Sequence, residues 1–154
     1  MWNRQTNAEF QEDNYEPNRR ALVSGLAGEV EFGVLAYEGE QPVGWAALAP
    51  RDQYSRLNRS PVTRAVDDEP VWSVTCFVVR KSHRGRGVAG ALLAGAEERA
   101  RALGATLLEG YPVAPDGKLG DADVWHGVES MFRKAGFEEA ARHKPKRPIY
   151  RKRL

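Results

Sequence analysis

The sequence predicts an α/β domain, with helices packed on one mixed (α+β) sheet, and three observations predict it. Residues 31–38 (EFGVLAYE) and 42–49 (PVGWAALA) are β-rich runs joined by Gly39-Glu40-Gln41, which is hairpin spacing. The apolar, β-branched run 71–79 (VWSVTCFVV) passes through glycines into a helix-period segment and then another strand, which makes one parallel strand-helix-strand unit. Two runs at the end, 137–143 and 149–154, read as a closing strand pair. With 154 residues, 42% hydrophobic and 29% charged, the chain reads as a single domain over 1–154.

The elements follow in order. Residues 17–27 form a helix with Leu22, Val23 and Leu26 on one face, Pro17 in the first turn and Gly28 at the end. After the hairpin, residues 50–70 are polar, with a helical turn at 51–57 and the acidic run Asp67-Asp68-Glu69; a loop of this length reads as a surface excursion over a site. Residues 71–79 are a central strand buried on both faces. RKSHRGRGVAG (80–90) opens a helix in which Leu92, Ala96, Ala100 and Leu103 recur at helical spacing, with Gly104 as its cap. Residues 106–111 (TLLEGY) are the next strand. Asp123 then caps a helix bearing Trp125, Val128, Phe132 and Ala135 on one face and ending at Gly136.

Charge narrows the function classes. The net charge is +2, yet seven of the 23 basic residues fall in the last thirteen positions, and Arg80, Lys81, Arg84 and Arg86 form a second island. Without the first group the chain carries 16 basic against 21 acidic residues, and without both 12 against 21. A uniformly basic nucleic-acid coat is therefore disfavoured, and no nucleic-acid-reading motif accompanies residues 142–153, which read as a solvated strand pair. One cysteine and three histidines without clustering supply no metal ligand set. No apolar run approaches the roughly 18 residues of a membrane span, and a cytoplasmic location is expected.

Where a buried strand runs through glycines into a helix, the free N–H groups of the first turn and the positive end of the dipole converge, and that spot binds anions. Gly85 and Gly87 let the backbone approach a phosphate, and the four cations raise the local potential. The residues 85–90 also satisfy G-x-G-x-x-G, with Glu109 about 20 residues beyond. A dinucleotide fold, however, needs two successive parallel halves, and this chain offers one parallel unit flanked by antiparallel strands. A Walker loop fails because no Gly-Lys-Ser/Thr follows.

Arg84-Gly85-Arg86-Gly87-Val88-Ala89 fits the Q/R-x-x-G-x-G/A signature, and here the chain resembles the GCN5-related N-acetyltransferases (GNAT). The element order from about residue 17 onward is similar too, and Phe132-Arg133-Lys134-Ala135-Gly136-Phe137 is similar to the family's Tyr-x-x-x-Gly-Phe. The resemblance implies a sheet splayed at a cleft for acetyl-CoA. Carried over, the main chain of Phe77, Val78 and Val79 would pair with the pantetheine arm, and Arg84, Gly85, Arg86, Gly87, Val88, Ala89 and Gly90 would hold the pyrophosphate. Arg80, Lys81 or Arg86 would reach the 3′-phosphate. Family members open with an edge strand, whereas residues 1–16 are polar without a period-two run. The first strand is then missing or supplied differently, and an uncovered edge implies a homodimer.

Acyl transfer from a thioester needs a neutral amine, and a free alkyl amine of pKa near 10 is only about one part in a thousand neutral at pH 7. Main-chain N–H groups near Phe77–Val79 can stabilise the oxyanion. The family's tyrosine position holds Phe132, which has no proton to donate, and 71–79 contains no carboxylate. Replacements must come from neighbouring elements: Tyr111 or Ser130 as proton source for the CoA thiolate, Glu109 as base through water, with His126 also in reach. Each has a plainer reading, as salt bridge, packed aromatic or surface residue. Cys76 sits among Val and Phe and reads as an inert buried thiol. Trp45, Trp72 and Tyr54 are candidates to line the acceptor pocket, and the acidic loop would suit a cationic amine. The expected function is acetyl transfer to a primary amine of a small molecule or protein; the alternative is a catalytically weak acyl-CoA-binding regulator.

Overall fold

The computed structural model of the protein describes residues 15–27, 33–114 and 124–154. Among these, the expected hairpin is β1 (Val34–Glu38) and β2 (Gln41–Pro50), followed by β3 (Trp72–Val79), β4 (Leu107–Gly110), β5 (Glu138–Lys144) and β6 (Arg147–Arg153). They form one six-stranded sheet in the order β1-β2-β3-β4-β6-β5. Only β3 and β4 run parallel; all other neighbours are antiparallel. The helices are α1 (Tyr15–Ala27), α2 (Ser55–Arg59), α3 (Val88–Ala102) and α4 (Glu129–Lys134).

The apolar stripe of α3 seats Leu92, Leu93, Ala96 and Ala100 against Ala46, Val74 and Leu108 of the sheet. Each buried leucine contributes roughly 1.5–3 kcal/mol. On the opposite face, Tyr54 and Leu57 of the 50–70 segment pack on Ala49, Tyr111 and Ile149, so this long loop roofs the second face of the sheet.

Three expectations change. The last helix does not run from Asp123, which lies outside the described residues; it begins at Glu129, because Gly127 takes φ +80° and Val128 is extended in a bridge with Val113. β3 is buried on both faces only in its first half, since Val78 is 55% exposed. Val23 of α1 is 55% exposed, so the face expected to pack is open there. The proposed absence of a first strand falls on residues outside the described ones, as does Leu26's side chain.

Candidate active site

β3 ends at Val79, a short 3-10 turn follows at Lys81–His83, and Gly85 and Gly87 take φ +72° and +84° before α3 begins at Val88. Gly87 is the N-cap in the left-handed region, so the amides of the first turn of α3 open toward the end of β3. The loop is braced from beneath: His83 Nε2 bonds Glu38 Oε2 at 3.1 Å, Arg86 lies 3.8 Å from Glu38, and Arg84 Nε donates to Val79 O at 3.3 Å. The His83 bond and charge hold the Glu38 carboxyl below the usual range. Arg80, Lys81 and Arg86 are exposed on the same loop. Backbone donors and cations thus share the loop on which an anion seat is expected.

β3 and β4 stay together for only three pairs, Trp72 with Leu108, Ser73 with Glu109 and Val74 with Gly110. Beyond Val74 they part, and residues 125–129 occupy the gap. The N–H of Phe77 donates to Trp125 O at 2.7 Å, His126 Nδ1 donates to Thr75 O at 2.7 Å, and Val113 N–H donates to Gly127 O at 3.0 Å. The sheet is therefore splayed next to the glycine loop, as the family resemblance implies.

The ladder phase decides which main-chain groups face that gap. Arg80 N–H donates to Val43 O at 2.9 Å, so Arg80 and Val78 turn their polar groups toward β2, while Phe77 and Val79 turn theirs toward the gap. Val78 is thereby removed from the set expected to pair with a pantetheine arm; its main chain is committed to Trp45. Phe77 and Val79 keep that geometry.

The predicted acid and base residues sit elsewhere. Glu109 is fully buried and saturated: Oε1 accepts from Tyr111 at 2.5 Å and Arg51 Nη1 at 3.2 Å, and Oε2 accepts from Arg151 Nε at 2.7 Å. Tyr111 gives its proton to Glu109 and accepts from Arg51 at 2.8 Å and, since its own hydrogen is spent, from Ser73 at 2.8 Å. Burial first, then the Glu109 charge, pushes the Tyr111 phenol well above its ordinary range. Adjacent on one face as predicted, these two residues form a sealed ionic cluster with their polar atoms turned to Arg51, Arg151 and Ser73. Ser130 is exposed on α4.

Arg51 and Arg151 escaped the sequence reading. Arg51 also donates to Thr63 O at 2.7 Å, tying the loop down, and Arg151 reaches Asp67 at 2.6 Å. The signal was Glu109 itself, because a carboxylate in an apolar strand must find a cation. Arg153 pairs with Glu69, Lys152 with Glu97 and Arg142 with Glu139, so the basic tail largely neutralises acidic residues of the fold. The pairing of Asp67 and Glu69 with arginines also weakens the idea that this loop attracts a cationic acceptor.

Phe132 is fully buried against Gly110, where its ring leaves no room for a Cβ, and it meets Phe77 edge-on at 6.2 Å. A hydrocarbon ring thus fills the space beside the vertex of the splay. His126 is held neutral: burial chiefly, then Arg147, lowers its pKa to about 4 against the opposing bond to Thr75 O. Burial raises the Cys76 thiol to about 11, which keeps it protonated and inert. No cluster able to hold a metal occurs among the described residues.

Comparison with known proteins bears on this geometry. A search of curated proteins finds no match. Among solved structures, the chain is similar to a putative acetyltransferase of the GNAT family from Desulfovibrio desulfuricans, at 18% identity over 92% of this chain and 85% of that one, with TM-score 0.57. A ribosomal-protein-alanine N-acetyltransferase from Brucella melitensis gives 19%, 90%, 78% and 0.56, respectively. An aminoglycoside 6′-N-acetyltransferase from Acinetobacter haemolyticus gives 22%, 90%, 90% and 0.53. These likenesses establish the fold. The model of the acetyltransferase (GNAT) family matches residues 1–116, which include β1 to β4, the splay's parallel strands and the glycine loop between them, so the chain belongs to the GNAT family of acetyltransferases.

Proposed function

We propose that the protein transfers the acetyl group of acetyl-CoA to a primary amine of a small molecule or a protein by direct attack on the thioester. The observation that carries this is the junction of the glycine loop with the splay: anion-seating amides at Gly87–Ala89 open onto a gap into which Phe77 and Val79 direct their main chains. The residues fit the co-substrate, with backbone donors for the pyrophosphate, exposed Arg80, Lys81 and Arg86 for the 3′-phosphate, and a strand edge for the amide-bearing arm. Bound there, acetyl-CoA supplies the activated acyl group.

The chain's own residues position, polarise and exclude water. The N–H of Phe77 is held by Trp125 O, so pairing with the arm exchanges that carbonyl for one of the co-substrate's and moves residues 125–127 aside. The carbonyl it takes on is that of the thioester, so the same N–H serves the developing oxyanion. Phe77 and Phe132 make the interior beside the vertex of the splay apolar, and an acceptor amine brought against it is desolvated, which favours its neutral, nucleophilic form. With Tyr111 and Glu109 sealed, the proton leaves the amine through water rather than through either side chain, and Ser130 remains of the two proton sources expected, Tyr111 and Ser130.

The second reading, a catalytically weak acyl-CoA binder, is favoured by one observation, the hydrocarbon ring of Phe132 at the usual acid's position. Acetyl-CoA raises the melting temperature under both readings, by mass action. Release of free CoA thiol across a panel of small amines and N-terminal peptides separates them: release that depends on one acceptor supports the enzyme, and binding without release supports the binder. We also propose that two copies pair through the outer edge of β1, which no other described strand joins. Sedimentation at micromolar concentration checks this, a monomer being the contrary result.

A further inference from the structure

Thr75 is the first residue of β3 beyond its last pair with β4, and it stands at the vertex of the splay. It is also the extra residue of a bulge, since Val74 opposes Leu48 and Cys76 opposes Ala47. Bulges re-aim a side chain where pairing ends. Its main-chain carbonyl is anchored by His126 Nδ1 at 2.7 Å. Its hydroxyl is another matter: Thr75 is 1% exposed, and Oγ1 is buried with no hydrogen-bond partner among the described residues.

A buried hydroxyl without a partner is costly, and valine would fill the same volume without that cost. A threonine hydroxyl buried without a partner at this point is available to a partner that arrives with a ligand. Strand rise of about 3.3 Å per residue puts Thr75 about 13 Å from Val79, comparable with a pantetheine arm running from the glycine loop down the gap. The reactive end of that arm is its sulfur. Phe132 supplies no hydroxyl beside the vertex, and Tyr111 has committed its own to Glu109.

We propose that the Thr75 hydroxyl donates a hydrogen bond to the sulfur of the co-substrate and steadies the thiolate as it leaves. The inference rests on acetyl-CoA lying in the gap as described above. As the amine nitrogen bonds to the acyl carbon, the carbon–sulfur bond breaks and its electron pair passes to sulfur. Thr75 Oγ1 donates to that sulfur while retaining its proton. The proton released by the amine travels through water and ends on the thiolate, giving the amide and CoA thiol.

Calorimetric titration with CoA and with desulfo-CoA, in which hydrogen replaces the thiol, tests this without knowledge of the acceptor. Wild type is expected to bind CoA roughly three- to tenfold more tightly than desulfo-CoA, the size of one net hydrogen bond. Thr75→Val is expected to bring that ratio to about one while leaving the desulfo-CoA affinity and the melting temperature unchanged or the latter raised; Thr75→Ser restores the ratio. An equal ratio in wild type and Thr75→Val overturns the inference and leaves acetyl-CoA binding intact. Failure of both ligands to bind wild type overturns the functional reading beneath it.

Discussion

Tyr111 donates its phenolic proton to Glu109 across 2.5 Å, at a carboxylate that no solvent reaches. That bond joins β4 to the roof over it, because Arg51 binds both residues and also holds Thr63 O of the 50–70 loop. The pair that an active-site search would choose first is thus a fastening between sheet and loop.

Replacing Glu109 by Gln removes the anion that Arg51 and Arg151 share. Their side chains are 10% and 11% exposed; Arg151 keeps Asp67, whereas Arg51 would be left without a carboxylate in low dielectric. Breaking a buried pair of this kind costs about 3–5 kcal/mol. Urea unfolding should show a loss of that order, and a loss below about 1 kcal/mol would mean that the cluster is not what fastens the roof.

Tyr111→Phe keeps the ring and deletes the hub of the network. The expected cost is about 1–3 kcal/mol of stability, from the hydrogen bonds of Ser73 and Arg51 left unmade. Because the phenol is displaced well above its usual range, it does not titrate in the working range, and the pH–rate profile of the variant should overlay that of wild type. Loss of a basic limb in the variant would reinstate Tyr111 as the proton source.

His126 makes the fold sensitive to acid. Its folded pKa of about 4 lies below the ordinary value of 6.5, so the unfolded chain binds the proton more readily. Its neutral form therefore costs nothing above about pH 6.5, and stability falls as pH drops from there toward 4, by up to about 3 kcal/mol in all. Unfolding measured at intervals between those limits should show this slope in wild type and a shallower one in His126→Asn. Equal slopes would show that another group carries the acid response.

Gly87 has φ +84°, a conformation that costs an alanine roughly 1–2 kcal/mol. Gly87→Ala has open space for its methyl group, so the strain falls on the backbone that presents the first amides of α3. Acetyl-CoA affinity should weaken about tenfold, with little change in unfolding midpoint if the loop relaxes. Unaltered affinity would place the phosphates away from this loop.

The sheet was legible in the sequence because hairpin spacing, β-branched runs and the glycine-to-helix junction are local signals, and they placed β1 to β6 and α3 within a few residues. α4 was misread because Trp125 and Val128 fall at helical spacing with Phe132, while Gly127 turns out of the helical region and Val128 bridges to Val113. Alternation along β4 correctly put Glu109 and Tyr111 on one face. It could not reveal that Arg51 and Arg151, 58 and 42 residues distant, close over them. The ladder phase that removes Val78 and the unpartnered Thr75 hydroxyl depend on a bulge opposite Ala47 and Leu48, and a bulge leaves no pattern in a single strand's sequence.

The most direct measurement follows the acetyl group itself. Protein incubated with isotope-labelled acetyl-CoA and a panel of primary amines, analysed by mass spectrometry, should place the label on an amine nitrogen in molar proportion to the CoA thiol released, with a lower rate for Gly87→Ala. Label that stays on CoA for every amine, from a protein that binds acetyl-CoA and is stabilised by it, would contradict the account and leave a binding protein in its place.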